Sequence, residues 1–323
     1  MTKHPLKQYI VKSSPIAYGC MGLGGGWNDQ PVTDADVRLA HEVVDAALEA
    51  GITFFDHADI YTFGKAEEAF GKVLKERPDL RGQIALQSKC GIRFEDEKGP
   101  KRYDFSKEWI TTSVENILKR LQTDYLEVLL LHRPDPLMEV DEVAEAFDAL
   151  KAAGKVRQFG VSNMNGAQMA YLQSALDMPL VANQIEVSLK HLAWLEEGVT
   201  TGAGGHGAVN FAAGTLPYCA LNGIQIQSWG SLAQGIFSGR DVSGEPEHIQ
   251  KTAALVAQYA EELGVSQEAI VLAWLMQHPA KIQPVIGTTN PQRIKASAEA
   301  VNVSLSRAQW YSLFVAARGE ELP

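Results

Sequence analysis

The stretch Ile52-Thr-Phe-Phe55, followed at once by Asp56-His-Ala-Asp-Ile-Tyr61, decides how this chain folds. A short, continuous apolar run reads as a strand buried on both faces, as parallel strands are. This one ends in the densest polar cluster of the sequence. Similar runs recur at Pro15–Cys20, Ile84–Ser88, Leu126–Leu131, Val156–Val161, Val181–Ile185, Ile224–Ser228 and Ile282–Ile286, which makes eight. Ile84–Ser88 runs into Lys89, and Leu126–Leu131 into His132.

Amphipathic stretches lie between the runs. Thr33 and Asp36 have capping-box spacing, and Val37, Ala40, Val44, Ala47 and Leu48 then share one helical face. Asn165 with Gln168 is a similar cap, Asn290 stands before Pro291, and Ser306 with Gln309 opens a last helix. Gly51, Gly154, Gly223 and Gly264 mark helix ends. Strands alternating with helices imply βα units and a parallel sheet. Eight strands with polar residues after many of them point to a closed (β/α)8 TIM barrel rather than an open sheet, whose site gathers at one switch point. The expectation is an α/β protein of one domain over residues 1–323, with an extra C-terminal helix.

The composition agrees. The chain has 323 residues, 46% of them hydrophobic and 21% charged, with a formal net charge of −10. That balance suits a sizeable core. It disfavours a nucleic-acid grip, which needs clustered Lys and Arg. No run of about 18 apolar residues suggests a membrane span. The N-terminus has no apolar core of a signal peptide. Cys20, Cys90 and Cys219 form no CxxC pair, so reduced thiols and a cytoplasmic location are expected. Cys90 is the cysteine expected nearest the site, in a packing role.

Thr200–Thr215 is glycine-rich and breaks the rhythm. Gly202, Gly204 and Gly207 satisfy G-x-G-x-x-G, but the stretch follows a helical pattern and lacks the later acidic residue of a dinucleotide fold. It reads as an inserted loop.

Strand ends in a barrel face the usual site. Asp56, Lys89 and His132 therefore meet at one rim, with Tyr61 a turn beyond Asp56. A Lys at the end of an apolar strand needs a counter-ion, and Asp56 supplies it. A Tyr beside that cation is expected to have its pKa lowered and to act as a general acid toward a carbonyl oxygen. A neutral His could orient the same oxygen. No nucleophile is needed, and the set suits carbonyl reduction with hydride from a cofactor. Asp56, His57, Asp59 and His132 are also metal-ligand types, but Asp56 and His57 are adjacent and should point to opposite faces, so no metal is expected.

These residues resemble the aldo-keto reductases, in their bacterial predicted-oxidoreductase branch. The resemblance rests on Gly51 to Tyr61, Glu67-Glu-Ala-Phe-Gly71, Gln87-Ser-Lys-Cys-Gly91, Leu129-Leu-Leu-His-Arg-Pro-Asp135, Gly160-Val-Ser-Asn163, Asn183-Gln184 and Pro284 to Arg293, in order, from about Pro15 to Trp310. It implies NAD(P)H-dependent reduction of small aldehydes or ketones. Tyr61 would be the proton donor, Lys89 and Asp56 its tuning pair, and His132 the carbonyl-orienting group. Ser162, Asn163 and Gln184 would hold the nicotinamide amide, and Trp229 would stack on the ring. Met21 and the Gly230–Gly239 loop, with Gly230, Ser231, Leu232 and Gln234, would line the cofactor. Thr288, Thr289 and Arg293 match the 2′-phosphate region, so NADP(H) is expected and NAD(H) is the alternative. Free N–H groups at the Asn290–Pro291 helix start would add to anion binding. Gly287-Thr288 replaces the Pro-Lys pair of many relatives, which removes one phosphate contact. A regulatory or redox-sensing subunit on the same fold is the competing reading.

Overall fold

The computed structural model describes residues 4–204 and 209–323. Gly205–Ala208, which include Gly207 of the glycine-rich stretch, lie outside the described residues. Eight parallel strands close into a barrel: β1 (Ala17–Gly19), β2 (Phe54–Asp56), β3 (Ala85–Cys90), β6 (Leu126–Leu131), β7 (Val156–Ser162), β8 (Leu180–Glu186), β9 (Gln225–Trp229) and β10 (Gln283–Ile286). Each neighbours the next in that order, and β10 pairs with β1. All eight sequence-predicted strands are present, with ends that differ by at most two residues. A small antiparallel hairpin of β4 (Ile92–Arg93) and β5 (Arg102–Tyr103) was not foreseen. Gly91, at φ +105°, turns the chain out of β3 into it, and a Cβ there would lie 2.2 Å from the Phe105 ring.

The helix starts follow the sequence signals. Thr33, Asn165 and Ser306 each make a reciprocal capping box, with Asp36, Gln168 and Gln309. Such a cap is worth about 1 kcal/mol. Gly264 ends helix Glu247–Leu263 in the left-handed conformation. The last helix, Arg307–Arg318, packs on Glu247–Leu263.

The core has two parts. Between barrel and helices lies a large apolar layer that includes Phe55, Phe70, Leu129, Phe159 and Trp274. Inside the barrel, Ala17, Phe54, Ala85, Val128, Leu130 and Val181 form a smaller cluster. The 3-10 helix Pro5–Gln8 and the residues just after it close the barrel floor, with Leu6 and Ile10 joining that cluster. Above it the interior becomes polar, and the strand period decides which side chains reach it. In β3, Ala85, Gln87 and Lys89 point inward while Leu86 and Cys90 join the outer layer. Among the described residues no helix is long and apolar enough to cross a membrane.

Candidate active site

Lys89 stands at the C-terminal end of β3 and is fully buried. Its three ammonium hydrogens have three acceptors: Asp56 Oδ2, the His57 carbonyl and the Tyr61 hydroxyl, each at 2.8 Å. Burial pulls the Lys89 pKa down, but Asp56 and Tyr61 more than offset this, and the net shift is upward. Asp56 ends β2, in register between Gly19 and Gln87. Its second oxygen accepts from Gln87 Nε2 at 2.6 Å. A buried ion pair with its other lone pairs satisfied is the arrangement that offsets desolvation.

The segment after β2 keeps running beside β3, because the His57 N–H donates to the Gln87 carbonyl and the Asp59 N–H to that of Lys89. Tyr61 then opens a tight turn. Thr62, Phe63 and Gly64 are all left-handed, with φ of +48°, +60° and +87°. For Thr and Phe this costs of order 1–3 kcal/mol each. The Thr62 hydroxyl donates to the Leu23 carbonyl at 3.0 Å and helps hold the turn. The turn throws Phe63 outward, where it is edge-on to Trp27 at 5.4 Å and tilted to Phe94 at 5.2 Å.

Tyr61 and His132 face each other edge to face, their ring centres 6.1 Å apart. The His132 N–H donates to the Cys90 carbonyl, which aligns the end of β6 with β3. Burial, then Lys89 and Arg133, hold the His132 pKa well below its ordinary value, so the imidazole is neutral. The Tyr61 pKa is shifted upward, which corrects the expectation from sequence. Burial is the largest effect and Asp56 adds to it, while Lys89 pulls the other way and loses. The phenol therefore keeps its proton. His57, adjacent to Asp56, points away from the rim as expected. Its ring packs edge-on against Phe70 at 4.7 Å, and burial lowers its pKa to about 3.

Ser162, Asn163, Gln184 and Trp229 form a connected shelf. The Ser162 hydroxyl donates to the main-chain carbonyl of Gln184 at 2.8 Å and accepts from Asn163 Nδ2 at 2.8 Å. Asn163 is left-handed at φ +60°, a conformation Asn tolerates better than most residues. Its Nδ2 also donates to the His132 carbonyl at 3.1 Å, and its Oδ1 accepts from Trp229 Nε1 at 3.0 Å. The Arg133 guanidinium lies 5.6 Å over the Trp229 ring. The shelf and the Asp56–Lys89–Tyr61 column thus share one end of the barrel.

The remaining sequence-predicted positions form the outer rim. Met21 is exposed. Gly230 and Gln234 are left-handed and exposed, at φ +67° and +59°, Leu232 is half-buried, and the Ser231 hydroxyl donates to the Ser228 carbonyl at 2.7 Å. Thr288 and Thr289 are half-buried after β10. Two further expectations change here. The helix start at Asn290 lacks the free N–H groups foreseen, because Asn290 Oδ1 accepts from the N–H groups of both Gln292 and Arg293. The Arg293 fork is already engaged, by Glu268 at 3.0 Å and Ser238 Oγ at 3.2 Å.

Cys20 and Cys90 both pack in the outer apolar layer. Burial raises both thiol pKa values, with Asp56 adding to it at Cys20, and Asp59 and Glu67 at Cys90. All three cysteines are free and buried. Sequence reasoning also missed Gln87, Gln227 and Gln283, which fill the barrel beneath the column. The signal was present: a glutamine two residues before Lys89 on an inward strand must point into the barrel.

Residues 15–314 match the aldo/keto reductase family. The chain is 37% identical to the uncharacterized oxidoreductase YcsN of Bacillus subtilis, over 93% of this chain and 95% of that one. It is also 37% identical to a 6-dehydroglucose reductase of Agrobacterium fabrum, over 97% of each chain. In structure it superposes on an aldo/keto reductase from Klebsiella pneumoniae, solved with NADP and acetate, at a TM-score of 0.71 and 24% identity, covering 93% of this chain and 90% of that one. With a closed eight-stranded barrel and these matches along nearly its whole length, the chain belongs to the aldo/keto reductase family and is a carbonyl oxidoreductase.

Proposed function

We propose that this protein uses NADP(H) to reduce the aldehyde group of a small polyhydroxylated substrate in the cytoplasm, with Tyr61 as the proton donor. The observation that carries this reading is the hydrogen-bonded column Asp56–Lys89–Tyr61 facing a neutral His132. When bound, the reduced nicotinamide supplies hydride to the carbonyl carbon. Tyr61 gives its proton to the carbonyl oxygen, and Lys89 stabilises the phenolate left behind. His132 donates a hydrogen bond that orients that oxygen. A complete proton-delivery column of this kind serves turnover, and a subunit that only sensed its cofactor would not need it.

The donor set fits such a cofactor. Ser162, Asn163 and Gln184 offer the mixed donors and acceptors that a carboxamide requires, and Trp229 offers a flat face held by Asn163. Met21, Gly230, Ser231, Leu232 and Gln234 would line the diphosphate and ribose. Thr288, Thr289 and Arg293 would take the 2′-phosphate, with Arg293 exchanging Glu268 for it. NAD(H), which lacks that phosphate, would bind more weakly.

For the substrate, two relatives that are 37% and 35% identical are named 6-dehydroglucose reductases. Trp27, Phe63 and Phe94 supply apolar faces for the C–H side of a sugar chain. Arg133, beside His132, presents a fork of donors to hydroxyl oxygens next to the carbonyl. The test is NADPH oxidation across dialdoses, simple aliphatic aldehydes and ketones. The polyhydroxylated aldehydes should show the highest kcat/KM. Arg133→Met should lower it about tenfold for them and leave an unsubstituted aldehyde unaffected. An equal loss on both, or no turnover of any carbonyl, would overturn the proposal.

A further inference from the structure

Below the catalytic column, four of the buried glutamines of the barrel strands are joined to one another where this fold usually stacks branched apolar side chains. Gln87, Gln184, Gln227 and Gln283 are 0%, 2%, 0% and 1% exposed. They form one ladder. Gln87 Nε2 donates to Asp56 Oδ1 at 2.6 Å and, across the barrel, to Gln227 Oε1 at 2.8 Å. Gln184 Nε2 donates to the same Gln227 oxygen at 3.1 Å. Gln227 Nε2 donates to Gln283 Oε1 at 3.0 Å, and Gln283 Nε2 ends the ladder on the Ser14 carbonyl at 2.6 Å.

The direction of the amides is set at both ends of the ladder, by the Asp56 carboxylate and by the Ser14 carbonyl. The Asp56 carboxylate, paired with Lys89, can only accept, so Gln87 must turn its NH2 group toward it. The second hydrogen of that NH2 group obliges Gln227 to present its carbonyl. That carbonyl in turn draws the NH2 group of Gln184. Gln184 is left with its carbonyl oxygen for a ligand. The ladder keeps this sense although it leaves Gln87 Oε1 buried without a partner. Turning Gln87 over would set its carbonyl against the Asp56 carboxylate.

We infer that Gln87 and Gln227 are positioning residues that transmit the charge of Asp56 to Gln184. They fix the Gln184 carbonyl as an acceptor for the NH2 of the nicotinamide carboxamide. The proton-delivery column and the nicotinamide shelf would then be set as one unit. This inference rests on the assignment of Gln184 to the nicotinamide amide.

The test compares NADP+ with its 3-acetylpyridine analogue, which has a methyl group where the carboxamide has NH2. Affinities of both oxidised forms are measured by calorimetry on the full chain, so no turnover is required. Wild type should bind NADP+ at least tenfold more tightly than the analogue. Gln227→Met, close in shape but unable to join the ladder, should narrow that ratio to within about threefold, since Gln184 becomes free to turn over. Gln283→Met loses a buried amide of the same kind on the far side of Gln227 and should leave the ratio unchanged. If Gln227→Met does not fold, the double variant Gln87→Met/Gln283→Met removes both anchors of Gln227 and should narrow the ratio in the same way. A wild-type ratio near one overturns the inference. So does a ratio kept in Gln227→Met or narrowed equally in Gln283→Met. Failure of the functional reading would show separately, as absent turnover of any carbonyl by wild type.

Discussion

The Lys89 ammonium donates to the Tyr61 hydroxyl at 2.8 Å and to Asp56 Oδ2 at the same distance, so one buried cation joins a carboxylate to a phenol. Removing the phenolic oxygen isolates its contribution. Tyr61→Phe should lower kcat for carbonyl reduction by roughly 10²–10⁴-fold, the range for loss of a general acid. NADPH affinity should stay within about twofold, because Tyr61 is not bonded to the Ser162–Asn163–Gln184 shelf. Stopped-flow turnover and calorimetry measure the two quantities. Undiminished kcat would assign the acid elsewhere.

The same cation has a structural role. In Lys89→Met, Asp56 is left charged and buried with only Gln87 as a partner, and a broken buried pair typically costs 3–5 kcal/mol. Urea unfolding should show a loss of about that size. The double variant Lys89→Met/Asp56→Leu should recover a substantial part of it, because no uncompensated charge remains. Additive losses in the double variant would mean that the pair is not what Lys89 contributes.

The raised Tyr61 pKa and the lowered His132 pKa set the pH dependence of reduction. Both groups keep their working forms between the ordinary histidine and tyrosine values, about 6.5 and about 10. The kcat for reduction should be level across that window and fall only above it, as Tyr61 loses its proton. A bell with a maximum near neutrality would contradict the upward shift.

Stability should depend on acid through buried imidazoles. Burial lowers the pKa of His57 to about 3 and of His278 to about 4. Both are neutral in the folded and unfolded chain above about pH 6.5, so their stabilising difference is fully present there. Below that pH the unfolded chain takes up protons that the folded chain refuses. Stability is lost progressively until the folded pKa values are reached, by several kcal/mol for His57. His57→Phe should flatten the acid side of a plot of urea midpoint against pH. A plot as steep as wild type would place the loss elsewhere.

Arg293 and Glu268 bear on the choice of cofactor. Arg293→Ala should weaken NADPH about tenfold and leave NADH nearly unchanged. Glu268→Gln removes the competing carboxylate 3.0 Å from the guanidinium and should tighten NADPH by a few-fold. Titration of each variant with both cofactors decides, and equal effects on NADPH and NADH would rule out a 2′-phosphate role.

Much of this architecture is legible in the sequence. The runs that become β2, β3 and β6 end in Asp56, Lys89 and His132, and strand period alone places those side chains at one rim. The capping boxes at Thr33, Asn165 and Ser306 were equally plain. What escaped the sequence depends on depth and on partners. The direction of the Tyr61 shift depends on how far burial outweighs Lys89, which no spacing encodes. Gln87 and Gln227 look like ordinary polar interruptions of a strand until the barrel closes and brings β3 opposite β9. The left-handed turn at Thr62–Phe63 is invisible because neither residue favours it, and tertiary contacts impose it.

The glutamine ladder also governs where protons can travel. Amide groups keep their hydrogens, so the barrel interior below Asp56 is an insulator for proton flow, and Lys89 has every hydrogen committed. A phenolate formed at Tyr61 by the proposed proton transfer would be recharged from the open mouth of the barrel. On that proposal, departure of the alcohol, entry of solvent and resetting of the acid would be one event.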